Sequence, residues 1–238
     1  MAAVSNLSYL HTPSVRPYTY TTVIQIALEN ARFRPNQELV IFRELDGSRY
    51  SLTNASWYQQ AEHLARYLVT RGVKRGDTVG LVGPNSIETA IGSLAILLAG
   101  AVVWNVTINM KTAQGVKAQI QLLQAKFMLV DCGKDSHFLP PVKALLENVT
   151  GQTDSANGDT NFQAIFLRKA DFKKSVTLEH IQSLQLDQVE LPDIYPEHKA
   201  LLLSTSGSTG KSKMVCHSHF SLMNCPPSNN PGMAELPK

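Results

Sequence analysis

The sequence predicts an α/β fold: a mainly parallel sheet with flanking helices. Three observations predict it. Short apolar runs alternate with amphipathic segments of helical period along most of the chain. The order strand, helix, strand recurs, and that order gives parallel strands joined by helical crossovers. The 238 residues, 43% of them hydrophobic, suffice for one sizeable domain or two small ones.

The elements follow in order. In "YTTVIQIALENARFRP", Val23, Ile26, Ala27 and Leu28 share one helical face, and Pro35 lies just past the end. "ELVIFREL" and "SRYSLT" read as strands, and Asp46-Gly47 between them signals a hairpin. "NASWYQQAEHLARYLVTRG" reads as a helix capped by Asn54, with Trp57, Ala61, Leu64, Ala65 and Leu68 on one side and Gly72 closing it. "DTVGLVG" is a strand stopped by Pro84-Asn85, and "SIETAIGSLAILLAG" is a mostly buried helix ended by Gly100. "AVVWNV" is the next strand, with Trp104 a core residue, and "TAQGVKAQIQLLQ" the next helix. "KFMLVD" is a further strand, followed by a helix around 142–148. Residues 150–161 hold no large apolar side chain and read as a mobile surface loop. "FQAIFLR" resumes as a strand. Residues 170–197 are mixed, and Pro192 and Pro196 favour an extended connection. "KALLLS" is a last apolar strand before the most informative stretch of the chain.

Composition removes several classes of function. The net charge is +3, without a long basic block, so nucleic acid is not expected as a partner. The three cysteines, Cys132, Cys216 and Cys225, form no CxxC pair, which argues against a disulfide framework or a zinc site and for a reducing, cytoplasmic setting. The N-terminus lacks the pattern of a secretory signal. The longest apolar stretch, 90–104, is shorter than the roughly 20 residues of a membrane span. His217 and His219 would share one side of a strand, but no third ligand of suitable type lies nearby, so no metal site is expected.

The stretch "LLLSTSGSTGKSKMV" (201–215) admits three readings. A Gly/Ser linker is one, yet few residues follow and they hold no core. A Walker loop is another, since Gly210-Lys211-Ser212 is its literal ending; but Thr205 stands where its first glycine belongs, and β-leaning residues follow where a helix should start. The third uses the whole stretch. Thr205-Ser206-Gly207-Ser208-Thr209-Gly210, then a free position, then Ser212-Lys213 resembles the phosphate loop of the acyl-adenylate-forming superfamily. That superfamily includes acyl-CoA synthetases, luciferases and the adenylation domains of peptide synthetases. The similarity extends upstream, through "GVKRGDTVGLVGPNS" and "LAILLAGAVVWNVTINMKTAQGVKAQIQLLQAKFMLVD", in family order over about 20–220. The chain departs at Ser212, where proline is usual, and at Met214, where glycine is usual. Such endings favour the carrier-protein-loading adenylation domains.

The resemblance implies the N-terminal portion of a large adenylation domain, incomplete. It divides the chain into an extension (1–18), a partial AMP-binding domain (19–224) containing the loop 150–161, and a disordered tail (225–238). It implies ATP-dependent activation of a carboxylic acid, with magnesium (Mg2+), and transfer to coenzyme A (CoA) or a phosphopantetheine on a carrier protein. In such a loop, Gly207 and Gly210 let backbone N–H groups approach phosphate oxygens closely. Thr205, Ser206, Ser208 and Thr209 add hydroxyl donors, and Lys213 supplies the catalytic counter-charge. Lys211 occupies the variable position. The superfamily's later motifs for adenine, ribose and the second catalytic lysine are not found. The chain is therefore expected to bind ATP weakly and not turn over alone. The rival expectations are a non-catalytic scaffold and a Walker-type NTPase.

Overall fold

The computed structural model describes residues 17–43, 46–106, 113–132, 162–168, 176–205 and 213–225. The helix predicted around 142–148, the loop 150–161 and the tail beyond Cys225 lie outside the described residues.

Helix α1 (Val23–Phe33) starts where the side chain of Thr22 accepts the Gln25 amide at 3.0 Å and the Gln25 side chain accepts the Thr22 amide at 2.9 Å. Two orphan donors of the first turn are satisfied by that exchange. Strands β1 (Glu38–Arg43) and β2 (Arg49–Thr53) form the expected antiparallel hairpin, with Gly47 at a φ of 88° in the turn. Helix α2 (Asn54–Thr70) is capped one residue earlier than the sequence suggests. Thr53 Oγ1 accepts the Ser56 amide at 3.2 Å, while Asn54 is buried in the first turn and donates from Nδ2 to the Arg34 carbonyl at 2.9 Å. The cap therefore went to the residue holding extended backbone, and Asn54 ties α2 to the end of α1.

The larger sheet contains β3 (Thr78–Val82), β4 (Val102–Asn105), β5 (Phe127–Val130), β6 (Gln163–Phe166), β7 (Lys199–Ser204) and β8 (Met214–Ser218). Their order across it is β6-β5-β3-β4-β7-β8. All pairs are parallel except β7 with β8. Helices α3 (Ile87–Leu98) and α4 (Ala113–Leu123) make the crossovers from β3 to β4 and from β4 to β5. Because β4 and β5 lie on opposite sides of β3, right-handed crossovers send these helices to opposite faces. The core divides accordingly. Val79, Leu81, Val103, Phe127 and Leu129 pack against α2 and α3, while Val82, Trp104, Met128 and Val130 pack with Val116 and Ile120 of α4. Full burial of a Leu64 or an Ile96 contributes about 1.5–3 kcal/mol each. Trp104 is 1% exposed and is a core residue, as expected.

The connection from β6 to β7 differs from the extended segment expected. It contains a short helix, α5 (Leu178–Gln182), capped by Thr177, with Leu178 and Ile181 buried against the core. A single helical turn carries too little periodicity to stand out among Ser, Gln and Asp residues. The rest of that connection is held by arginines: Arg66 donates to the carbonyls of Asp187 and Val189, and Arg75 lies 3.5 Å from that of Asp193. No helix among the described residues is long and apolar enough to cross a membrane.

The close of α3 shows how tightly this connection is packed. Gly100 has a φ of 77°, and a Cβ there would lie 2.9 Å from Pro192 Cγ and 3.0 Å from Ile194 Cδ1. Gly100→Ala should therefore cost roughly 1–3 kcal/mol of stability, combining left-handed strain with the clash. Urea unfolding of the two proteins measures it, and an unchanged midpoint would refute the packing described.

Candidate functional site

Parallel strands release their chain at one common edge, and ligand sites of such sheets lie outside the carboxyl ends of the strands. Here the loops after β3 and β4 turn to opposite faces, which opens a crevice between those two strand ends. A cleft of about 360 Å³ occupies that place. Its walls include Leu81 of β3, Gly83 and Asn85 after it, Thr89 of α3, Asn105 at the end of β4, and Ile41 of the hairpin.

The walls of the crevice are fixed by a buried polar network. Asp131, directly after β5, is fully buried. Ser86, the N-cap of α3, donates its hydroxyl to Asp131 Oδ2 at 2.5 Å. Arg168, just past β6, places Nε 3.1 Å from Asp131 Oδ1 and Nη2 2.6 Å from Glu88 Oε2. A carboxylate taken out of water this completely is tolerable only with such partners. Gly83 passes so close that a Cβ would lie 2.7 Å from Asp131 Cβ and 2.9 Å from its carbonyl oxygen. The network thus joins the carboxyl ends of three strands to the start of α3. In the sequence "KFMLVD" ends in this aspartate and "GPNS" ends in Ser86, but nothing local shows that the two meet. The available signal was an acidic residue ending a fully apolar strand, which requires a partner.

The small-residue loop leaves the same edge, from β7, the neighbour of β4. The structure shows its neck. The Thr205 amide donates to the Lys213 carbonyl at 2.8 Å, and the Lys213 amide donates to Thr205 Oγ1 at 3.0 Å. Ser204 and Met214 pair next, and the antiparallel ladder runs on from there. Strands β7 and β8 are therefore paired up to Thr205 and Lys213, which close the two ends of the loop. Of the residues expected in the site, Thr205 and Lys213 are brought together, and Lys213 is exposed. Ser206, Gly207, Ser208, Thr209 and Gly210 lie outside the described residues, as do Lys211 and Ser212. A Walker loop enters a helix at its lysine. Here β8 follows instead, so Gly210-Lys211-Ser212 does not open a helix, and the Walker reading loses its structural basis.

Beyond β8 the chain turns into α6 (His219–Met223), capped by Ser218. The expectation of two imidazoles on one strand is corrected: His217 belongs to β8, but His219 begins the helix and is 1% exposed. Its Nδ1 has no hydrogen-bond partner. Burial, and secondarily the nearby His198, lowers its pKa from 6.5 to about 4. Among the described residues, no group of three or more His, Cys, Asp or Glu side chains could hold a metal ion.

Comparison with known proteins gives a consistent picture. Residues 28–226 match the family model of the AMP-binding enzymes. The chain is 29% identical over 235 residues to a mitochondrial medium-chain acyl-CoA ligase of Danio rerio, covering 91% of this chain and 37% of that protein. It is 28% identical over 217 residues to tyrocidine synthase 3 of Brevibacillus parabrevis, covering 91% of this chain and 3% of that one. The crystal structure of the anthranilate CoA ligase AuaEII with anthranoyl-AMP superposes with a TM-score of 0.67 at 21% identity, over 85% of this chain and 35% of the ligase. The N-terminal subdomain of Klebsiella oxytoca NpsA gives 0.62 at 22% identity, over 87% and 44%. The chain spans less than half the length of each of these.

Two tests follow from the geometry. Asp131→Ala leaves Arg168 with Glu88 as its remaining carboxylate partner and unties Ser86, and should cost about 1–3 kcal/mol in urea unfolding. For His219, the folded pKa lies below the unfolded value, so acid protonates the unfolded chain first. Its stabilising contribution is complete above about pH 6.5 and is lost as pH falls towards about 4, by roughly 2–3 kcal/mol. His219→Gln should flatten the stability profile in that window, and an unchanged slope would contradict the assignment.

Proposed function

The chain belongs to the AMP-binding enzyme family, and from that premise we propose that it supplies the phosphate-binding portion of an ATP-dependent carboxylate-activating enzyme. In the reaction, a carboxylate oxygen attacks the α-phosphorus of ATP. The bond from that phosphorus to the bridging oxygen breaks, and pyrophosphate leaves with the electron pair. The thiol sulfur of CoA or of a carrier-bound phosphopantetheine then attacks the acyl carbon of the adenylate; the acyl–oxygen bond breaks, AMP leaves with the electron pair, and the thiol proton is released. The acyl-CoA ligase and peptide-synthetase names of the relatives support this class, and leave open which acid is used.

One observation carries the reading: β7 and β8 pair antiparallel and are closed by Thr205 and Lys213, so the motif is delivered at the carboxyl edge of a parallel sheet. In this proposal Gly207 and Gly210 admit phosphate oxygens to backbone N–H groups, and Ser206, Ser208 and Thr209 donate hydroxyl hydrogen bonds. Lys213 stands at the mouth of the loop, where its ammonium offsets charge that develops on the departing pyrophosphate. The side-chain oxygen of Thr205 accepts the Lys213 amide, so its first duty is to shut the neck and fix where Lys213 begins. Magnesium shields phosphate charge in reactions of this class. The described residues do not build a protein cage for it, and no step is assigned through it.

The activity of the whole relatives is proposed for this span acting with the segments that continue the match in them. In this proposal residues 1–18 are an extension, 19–224 the partial domain with its loop 150–161, and 225–238 a tail. Titration with ATP should give saturable binding by the 238-residue chain, weakened about tenfold or more in Lys213→Ala. Lys211→Ala should change it little. ATP–pyrophosphate exchange by this chain alone should stay at background. Equal ATP affinity in the natural protein and Lys213→Ala would overturn the loop assignment.

A further inference from the structure

The outer leg of the loop hairpin is its weak side. Strand β7 is held between β4 and β8, whereas β8 is hydrogen-bonded to β7 alone among the described strands. A strand bonded on one side opens more readily than one bonded on both. Its far end runs without a break into α6, because Ser218 both ends β8 and caps the helix. Whatever holds α6 therefore holds the leg that carries Lys213.

Two anchors hold it. The first is the turn before β7: the Phe220 amide donates to the Pro196 carbonyl at 2.7 Å and the His219 amide to the His198 carbonyl at 3.1 Å. The second comes from the opposite end of the sequence. The Thr19 amide donates to Asn224 Oδ1 at 2.8 Å, and Asn224 Nδ2 donates back to the Thr19 carbonyl at 2.9 Å. One side-chain amide thus pairs with one backbone residue as a strand partner would. Tyr18 and Tyr20 pack on Phe220, with ring centroids 5.9 and 6.2 Å away. Tyr20 also donates its hydroxyl to the Glu197 carboxylate, which joins the two anchors. Both tyrosines are about two-thirds exposed, at 69%, so they act as a strap laid over α6 rather than as core.

We infer that residues 18–20 and Asn224 form a clasp that sets the stiffness of the β8 leg, with Asn224 a positioning residue for Lys213. Its consequence for nucleotide rests on the proposed function; its mechanical part does not. The test reads both. Amide hydrogen exchange is followed on the full chain, and ATP affinity is titrated on the same samples. Asn224→Ala removes both bonds to Thr19 together with the Nδ2 bond to the Phe220 carbonyl, and should speed exchange of the β8 and Lys213 amides about tenfold; Thr19→Pro removes only the Thr19 donor, leaves the Phe220 bond, and should still speed it several-fold. Asn224→Asp keeps the acceptor and should give a smaller acceleration. The amides of β3 and β5 should not change in any of these variants. Unchanged β8 exchange in Asn224→Ala overturns the clasp. So does an equal acceleration in β3, which reports global destabilisation instead. Where the loop binds triphosphate, ATP affinity falls with the faster β8 exchange. Faster exchange with unaltered ATP affinity upholds the clasp and sinks the nucleotide reading.

Discussion

A parallel strand delivers its chain at the same edge as its neighbour and can return it only by a crossover. This constraint organises the protein. Strands β3 to β7 all discharge at one edge, and the neighbours β3 and β4 send their chains to opposite faces of the sheet. The crevice between β3 and β4 follows from that divergence, and the loop after β7 is one strand further along. At a spacing of about 4.8 Å per strand, the two lie within about 10 Å of each other. A ligand the size of a nucleotide can span that distance. The site is thus a property of chain direction before it is a property of any side chain.

The same edge is where the protein accepts its most expensive burial. Most of the rest of the core is apolar, with Trp104 and Met128 on one face and Leu94 and Ile96 behind the other. At the carboxyl ends of β3, β5 and β6 it buries a carboxylate and matches it with a hydroxyl and a guanidinium. Replacing such a set with apolar residues is often neutral or stabilising. What the set contributes here is geometry: one carboxylate fixes the cap of α3, and through Glu88 and Arg168 the ends of the strands beside it. The wall of the crevice is therefore set by one hydrogen bond and two ion pairs as well as by packing.

Much of this was legible in the sequence, and what was not shares a cause. The periodic helices α1 to α4, the Asp-Gly hairpin and the apolar strands are set by local pattern, and they stand where the sequence puts them. Thr53 capped α2 in place of Asn54 because Asn54 found a distant partner in the Arg34 carbonyl. His219 was read onto a strand because Met214, Val215 and Cys216 favour one. The Ser218 cap ends it there, and the ring is then buried beside His198. The Asp131–Arg168 pair and the Thr19–Asn224 pair join residues far apart in the chain, and no local pattern announces them. A motif within one loop can be read from the sequence; the contacts that hold the legs of that loop cannot, because they join residues far apart in the chain.

The loop itself shows how little a short motif fixes without chain direction. Gly210-Lys211-Ser212 reads as the end of a Walker loop, in which the helix that follows adds its dipole and its free amides to the phosphate site. Here the chain doubles back as β8, and that contribution is absent. Anion binding by such a hairpin has to come from the loop's own amides and from side chains at its neck. That requirement raises the weight of Lys213, which the neck bonds bring to the mouth, over Lys211 within the loop. It also makes the stiffness of both legs matter, since amides presented from a loose hairpin must be ordered at the moment of binding. A helix would supply that order by its own hydrogen bonds; a hairpin on the edge of a sheet must borrow it, here from a segment some two hundred residues upstream.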